Sequence, residues 1–136
     1  MFRVNKDKIG SFSTKCYQLS MQVLKLIPLA LEISPELGGA SWFADRHSID
    51  EPNGSILRLL HYPASAEQIG AGAHTDYGSL TLLFQQAGMG GLQVHINNGW
   101  VSVPAPSSNL KEAPPILVNI ADQLSFWTAG LQVILT

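Results

Sequence analysis

The sequence predicts a mainly β fold with N-terminal helices, a jelly roll behind a helical flank, and three observations carry that expectation. Apolar residues ahead of Gly38 recur at helical spacing, apolar runs after Asn53 are short and strand-like, and turn residues separate those runs. The texture changes near residue 52, so 1–52 reads as the helical flank and 53–136 as the strand-rich domain.

The flank is predicted from one stripe. Phe12, Cys16, Leu19, Val23, Ile27 and Leu31 advance by four, three, four, four and four, which places them on one face of a helix whose role is core packing. Ser11 or Ser13 is expected to cap its start, Pro28 to kink or divide it, and Gly38 with Gly39 to end the helical region.

Strands are expected at Ile56–Tyr62, Leu80–Gln85, Leu92–Ile96, Trp100–Val103, Ile116–Ile120 and Leu124–Thr128. "HINNGWVSV" reads as a hairpin, with Asn98-Gly99 as the positive-φ pair of its tight turn. "PAPSSNLKEAPP" reads as an exposed loop, and Ala121-Asp122-Gln123 as a turn between the last two strands. Trp42, Trp100 and Trp127 are expected to act as packing anchors.

Composition excludes several roles. A chain of 136 residues with 46% hydrophobic and only 13% charged residues has the makings of an ordered core. The formal net charge of −2, with no basic run, argues against nucleic acid and anionic membranes as partners. The lone Cys16 has no internal disulfide partner and reads as a small buried thiol, with no basic neighbour to activate it. The opening "MFRVNKDKIGSF" lacks the apolar stretch of a signal peptide, and the longest apolar run, "LIPLALEI", is far too short to span a membrane. The expected location is cytoplasmic.

The chemistry centres on "GAHTDYGSLTLLFQQ", residues 72–86, where an apolar strand is preceded by two ionisable groups. On a strand, residues two apart share a face, so His74 and Asp76 would project together and Thr75 away from them. An imidazole and a carboxylate on one face are two parts of the 2-His-1-carboxylate triad that holds non-haem Fe(II). A surface His beside a capping Asp is the plainer alternative for the triplet taken alone. His47, His61 and His95 are read as structural or solvated residues rather than ligands.

The order "LRLLHYP", "AHTDYGSLTLLFQ", "GLQVHINNGWVSVP", "PPILVNIADQLSFWTAG" resembles the iron(II)- and 2-oxoglutarate-dependent dioxygenases of the isopenicillin N synthase-like family, from about Phe12 to Gly130. The resemblance implies a double-stranded β-helix, incomplete here at the C-terminus. It implies Fe(II), 2-oxoglutarate and O2 as cofactors and co-substrates, and oxidation of a small-molecule substrate with release of succinate and CO2. His74 and Asp76 match the first two iron ligands, and Tyr62 matches a tyrosine that hydrogen-bonds the distal carboxylate of 2-oxoglutarate. Leu60 stands where many relatives carry Asn. In register from Trp127, the third ligand, a His, falls one position beyond Thr136, with the co-substrate's Arg and Ser after it, and "LQVILT" departs from the family's Lys-Ser segment.

Three functional readings follow from the sequence: a family dioxygenase seen as a partial chain, a non-catalytic jelly-roll remnant serving as a binding module, and an unrelated metal-binding jelly roll. A jelly roll short of its last strands would also present a sheet edge through which copies self-associate. "LTLLF" and "ILVNI" are its most aggregation-prone segments.

Overall fold

Residues 6–30, rich in helix-forming Lys, Leu, Met and Gln, form one helix, α1 (Lys6–Ala30), in the computed structural model, which describes residues 5–62, 71–108 and 113–130. The chain divides into two compact units, Met1–Gly54 and Ser55–Thr136.

In the first unit α1 is longer and differently ended than the sequence suggests. It begins after Asn5 without a side-chain cap, five residues ahead of Ser11, because Lys6 to Gly10 already continue the helical backbone. It runs through Pro28, which lies in its last turn; there the missing N–H deprives only the carbonyl of Leu24 of its i+4 donor. The helix stops before Gly38. Glu32 adopts a left-handed φ of 53°, Ile33 N–H donates to Pro28 O at 3.0 Å, and Glu32 N–H donates to Leu29 O at 3.2 Å. These two bonds are the Schellman pattern, which satisfies carbonyls that the helix end leaves without partners.

The buried face of α1 is rotated from the expected stripe. Leu24 and Pro28 are buried, whereas Cys16, Leu19, Val23 and Ile27 are half-buried and Phe12 and Leu31 exposed. The reason lies in what packs against it. Three short 3-10 turns follow, Pro35–Leu37, Gly39–Ser41 and Ala44–Arg46, and they bring Phe43 and Ala44 into the same core. Trp42 meets Phe43 edge-on at 4.6 Å, the Arg46 guanidinium lies 3.9 Å above the Trp42 ring, and the Tyr17 hydroxyl donates to His47 O at 3.1 Å. Gly38 holds a φ of +112°, and a Cβ there would sit 3.3 Å from the Trp42 side chain.

Among its described residues the second unit contains two separate two-stranded antiparallel sheets. β1 (Leu80–Leu83) pairs with β4 (Leu117–Ile120), from Leu80 opposite Ile120 to Leu83 opposite Leu117. β2 (Gln93–Ile96) pairs with β3 (Gly99–Ser102) as a hairpin. The two aggregation-prone segments named above therefore cover each other's ladder. In the hairpin the positive-φ pair is Asn97-Asn98, at 50° and 64°, with Gly99 already on β3. The turn sits one residue earlier than expected, because asparagine tolerates the left-handed region well enough to fill both central positions.

Two expected strands are not found among the described residues. Residues 56–62 form no ladder with any described segment, and Ile56, Leu57, Leu59 and Leu60 are exposed. Leucine-rich alternation suits a strand, but only a paired backbone makes one. Leu124–Thr128 is helical instead, within α2 (Asp122–Trp127). Ala121 and Leu124, three apart, are both fully buried, and this helical spacing was present in "ADQLSFW". Helix thus outweighs strand among the described residues, and the architecture is helix plus small antiparallel sheets. Trp42 and Trp127 are half-buried, but Trp100 is 47% exposed and stacks edge-on against His95 at 5.2 Å, so it covers the hairpin rather than anchoring a core.

Replacing Leu124, at 0% exposure, by Ala should destabilise the second unit by about 2–5 kcal/mol, through lost burial and a cavity. Phe126→Ala, at a position 83% exposed, should stay within about 0.5 kcal/mol. Denaturant melts of both variants test the pair, and equal losses would contradict the helix orientation described.

Candidate metal centre

His74 and Asp76 lie in irregular chain just ahead of β1, not on the strand itself, so strand periodicity is not what orients them. Their side chains nevertheless approach each other, with His74 Nε2 4.0 Å from Asp76 Oδ1. The imidazole is fixed by its other nitrogen, since Nδ1 lies 2.9 Å from the carbonyl of Gly72. A carbonyl only accepts, so this bond requires a proton on Nδ1, and in the neutral ring the lone pair is then on Nε2. Metal-binding histidines are oriented in this way, with the outer N–H given to a backbone carbonyl or carboxylate.

The loop that carries these residues is joined to the start of α2. Ala121 N–H donates to Ser79 O at 3.1 Å, Asp122 N–H to Asp76 O at 2.8 Å, and Gln123 N–H to Gly78 O at 3.1 Å. The first N–H groups of any helix lack partners within it, and no side chain caps this one. The loop carbonyls supply what a capping side chain would. Two side-chain bonds join the same elements: Thr75 Oγ1 donates to Asp122 Oδ2 at 3.0 Å, and Ser79 Oγ lies 3.1 Å from Gln123 Oε1 as its donor. Asp122 and Gln123, read from sequence as a turn, are thus the anchor of the site. The helical period of Ala121, Leu124 and Trp127 was the signal that could have found them.

A first-row metal bonded to nitrogen and oxygen at about 2.1 Å would hold adjacent donors about 3 Å apart. The observed separation is 4.0 Å, between side chains that are 52% and 30% exposed. A neutral imidazole nitrogen and a carboxylate oxygen are a donor pair that suits Fe(II). Among the described residues, no group of three or more His, Cys, Asp or Glu side chains is placed to hold a metal. Tyr62 lies in irregular chain at the edge of the described residues and is 54% exposed. The "LQVILT" segment lies outside the described residues.

Two of the other expected bystanders have structural partners and the third is at the surface. His47 Nδ1 lies 2.8 Å from Phe43 O, His95 packs on Trp100, and His61 is exposed. Cys16 is half-buried on α1, and burial pushes its thiol pKa up, the opposite of what a nucleophile needs. No helix of the described residues is long and apolar enough to cross a membrane.

The family model of the 2OG-Fe(II) oxygenase superfamily matches residues 53–134. The chain belongs to that superfamily. The match spans the histidine–aspartate loop, both sheets and α2. Among curated relatives, a UPF0676 protein of Schizosaccharomyces pombe is 36% identical over 91% of this chain and 37% of its own length. Clavatol oxidase of Penicillium crustosum is 35% identical over 90% of this chain and 35% of its own. Homoarginine-6-hydroxylase of Arabidopsis thaliana is 32% identical over 93% of this chain and 32% of its own. The chain therefore spans about a third of the length of these relatives. No solved structure matches. Membership in this superfamily bears out the resemblance to Fe(II)- and 2-oxoglutarate-dependent oxygenases read from the motifs.

Two measurements check the site's chemistry. Long-range nitrogen–proton correlation spectra, at a pH where His74 is neutral, should show the proton on Nδ1; an Nε2–H tautomer would contradict the Gly72 contact. Alkylation of Cys16 by iodoacetamide should be slower in the folded chain than in denaturant and should accelerate only above the pH at which a free thiol ionises, since burial disfavours the thiolate.

Proposed function

We propose that this chain carries part of the catalytic centre of a 2-oxoglutarate-dependent dioxygenase, with His74 and Asp76 as two ligands to Fe(II). The observation that carries the reading is the pair of donor atoms in the matched region: His74, with Nδ1 held at the Gly72 carbonyl, turns Nε2 toward Asp76 Oδ1 at 4.0 Å. The His–X–Asp arrangement supplies one imidazole and one carboxylate of a facial triad, a ligand set that leaves positions open for co-substrate and oxygen. When bound, Fe(II) with 2-oxoglutarate and O2 supplies the oxidising chemistry, and succinate and CO2 are its products.

The chain's own residues do the holding. The Gly72 carbonyl, by accepting from Nδ1–H, increases electron density at Nε2 and fixes the ring plane. The Asp76 carboxylate brings one negative charge against the divalent cation. The phenol of Tyr62 is assigned, by motif, to donate a hydrogen bond to the distal carboxylate of 2-oxoglutarate. The substrate class is a small organic molecule. The activities for which these relatives are named, oxidation of clavatol and hydroxylation of homoarginine, agree with that class and select no member of it. The complete fold we assign is the double-stranded β-helix, with β1 paired to β4 as part of one of its sheets, and the location we assign is the cytoplasm.

A chimera tests the proposal. Following Gly130 with the C-terminal segment of a family member, including its His, Arg and Ser, should yield succinate release in the presence of Fe(II), ascorbate and 2-oxoglutarate. His74→Ala and Asp76→Ala in that chimera should bring release down to background. Turnover that survives His74→Ala would remove His74 from the metal site.

A further inference from the structure

We propose that Asp122 is a positioning residue for the metal centre, holding the His74–Thr75–Asp76 tripeptide in its ligating shape through Thr75. The inference rests on the metal-site reading above and goes beyond it, because Asp122 belongs neither to the ligand pair nor to the loop. Two contacts, from the neighbouring loop residues Thr75 and Asp76, converge on this one residue. Its carboxylate accepts the Thr75 hydroxyl at 3.0 Å, and its backbone N–H donates to the Asp76 carbonyl at 2.8 Å. One residue thereby grips both the link between the two donors and the backbone of the second donor.

The chemistry makes this a stiff connection. An ionised carboxylate only accepts, so the Thr75 hydroxyl must turn its proton toward Asp122, and a hydrogen bond to a charged group is stronger than a neutral one. Both side chains are half-buried, which reduces competition from water. Asp122 is in turn held by α2, whose Leu124 is fully buried, so the anchor is a rigid element rather than another loop. Thr75 points its hydroxyl at Asp122 while His74 and Asp76 direct their donor atoms toward each other. A residue that served only as an acidic group in the first turn of a helix would not need Thr75.

Mn(II) titrations of the 136-residue chain, read by loss of the free-ion resonance signal, give the first test. Thr75→Val, which keeps shape and removes the hydroxyl, and Asp122→Ala should each weaken binding by about 10- to 100-fold, the range seen when partners of metal ligands are removed. Thr75→Ser and Asp122→Asn retain a donor and an acceptor and should stay near the parent. The double variant Thr75→Val/Asp122→Ala should be no weaker than either single one, since both remove one interaction. The second readout needs no metal: amide hydrogen exchange at Asp122 should quicken in Thr75→Val and not in Thr75→Ser. Parent-like Mn(II) affinity in Thr75→Val, multiplying losses in the double variant, or unchanged exchange at Asp122 would each overturn the proposal. His74→Ala is the control for the reading beneath it. If that variant binds Mn(II) as the parent does, the metal site is wrong, and the hold of Asp122 on the tripeptide is then decided by hydrogen exchange alone.

Discussion

The second unit depends on a backbone need: a helix that starts without a side-chain cap must find acceptors for its first N–H groups. α2 finds them in the carbonyls of Asp76, Gly78 and Ser79. Because β1 begins at Leu80 and β4 ends at Ile120, the first of these bonds, Ala121 N–H to Ser79 O, continues the β1–β4 register past its last paired residues, Leu80 and Ile120. The strand pairing sets the register, the helix start extends it, and the loop between takes its shape from both. Fully buried Ala121 and Leu124, with largely buried Ser79 and Asn119, mark this junction as enclosed among the described residues of the unit. A buried N–H without a partner costs roughly 1–3 kcal/mol, so a loop that slipped by one residue would lose more than a single contact.

That constraint explains what could and could not be read from the sequence. The strands at Leu80, Leu92, Trp100 and Ile116 were legible because their apolar runs are short and bounded by turn residues, and the hairpin because Asn-Asn-Gly admits few other shapes. The helical identity of 122–127 was not, because Leu124, Phe126 and Trp127 satisfy period two and period three almost equally over so short a stretch. What decides it is tertiary: the N–H groups of 121–123 are taken by a loop more than forty residues away. The residues at 56–62 show the reverse error, in which a strand-like pattern lacks a paired neighbour among the described residues.

The donor pair was legible for a reason that proved only partly correct. Alternation on a strand predicts that His74 and Asp76 share a side, and their donor atoms do approach, but on irregular backbone. Strand periodicity orients side chains through a ladder; here the same outcome comes from hydrogen bonds at specific atoms. The sequence motif identifies the donor types, while Gly72, Thr75 and Asp122 supply the orientation, and none of those three is marked by the His–X–Asp spacing itself. Motifs name atoms that react more readily than atoms that hold.

The holding atoms follow one rule. Three polar atoms of the tripeptide outside the facing pair are occupied: His74 Nδ1 at the Gly72 carbonyl, the Thr75 hydroxyl at Asp122, and the Asp76 carbonyl at the Asp122 N–H. What remains directed into the space between the side chains is the imidazole Nε2 and the carboxylate, the two groups with lone pairs suited to a divalent metal. Occupying the others costs the loop its alternative shapes, because any rotation that offered Nδ1 or the Asp76 carbonyl to an ion would break a bond already made. A part-exposed loop can therefore present a defined donor pair without being buried, since its rigidity is borrowed from the enclosed junction at Ala121 and Leu124 behind it.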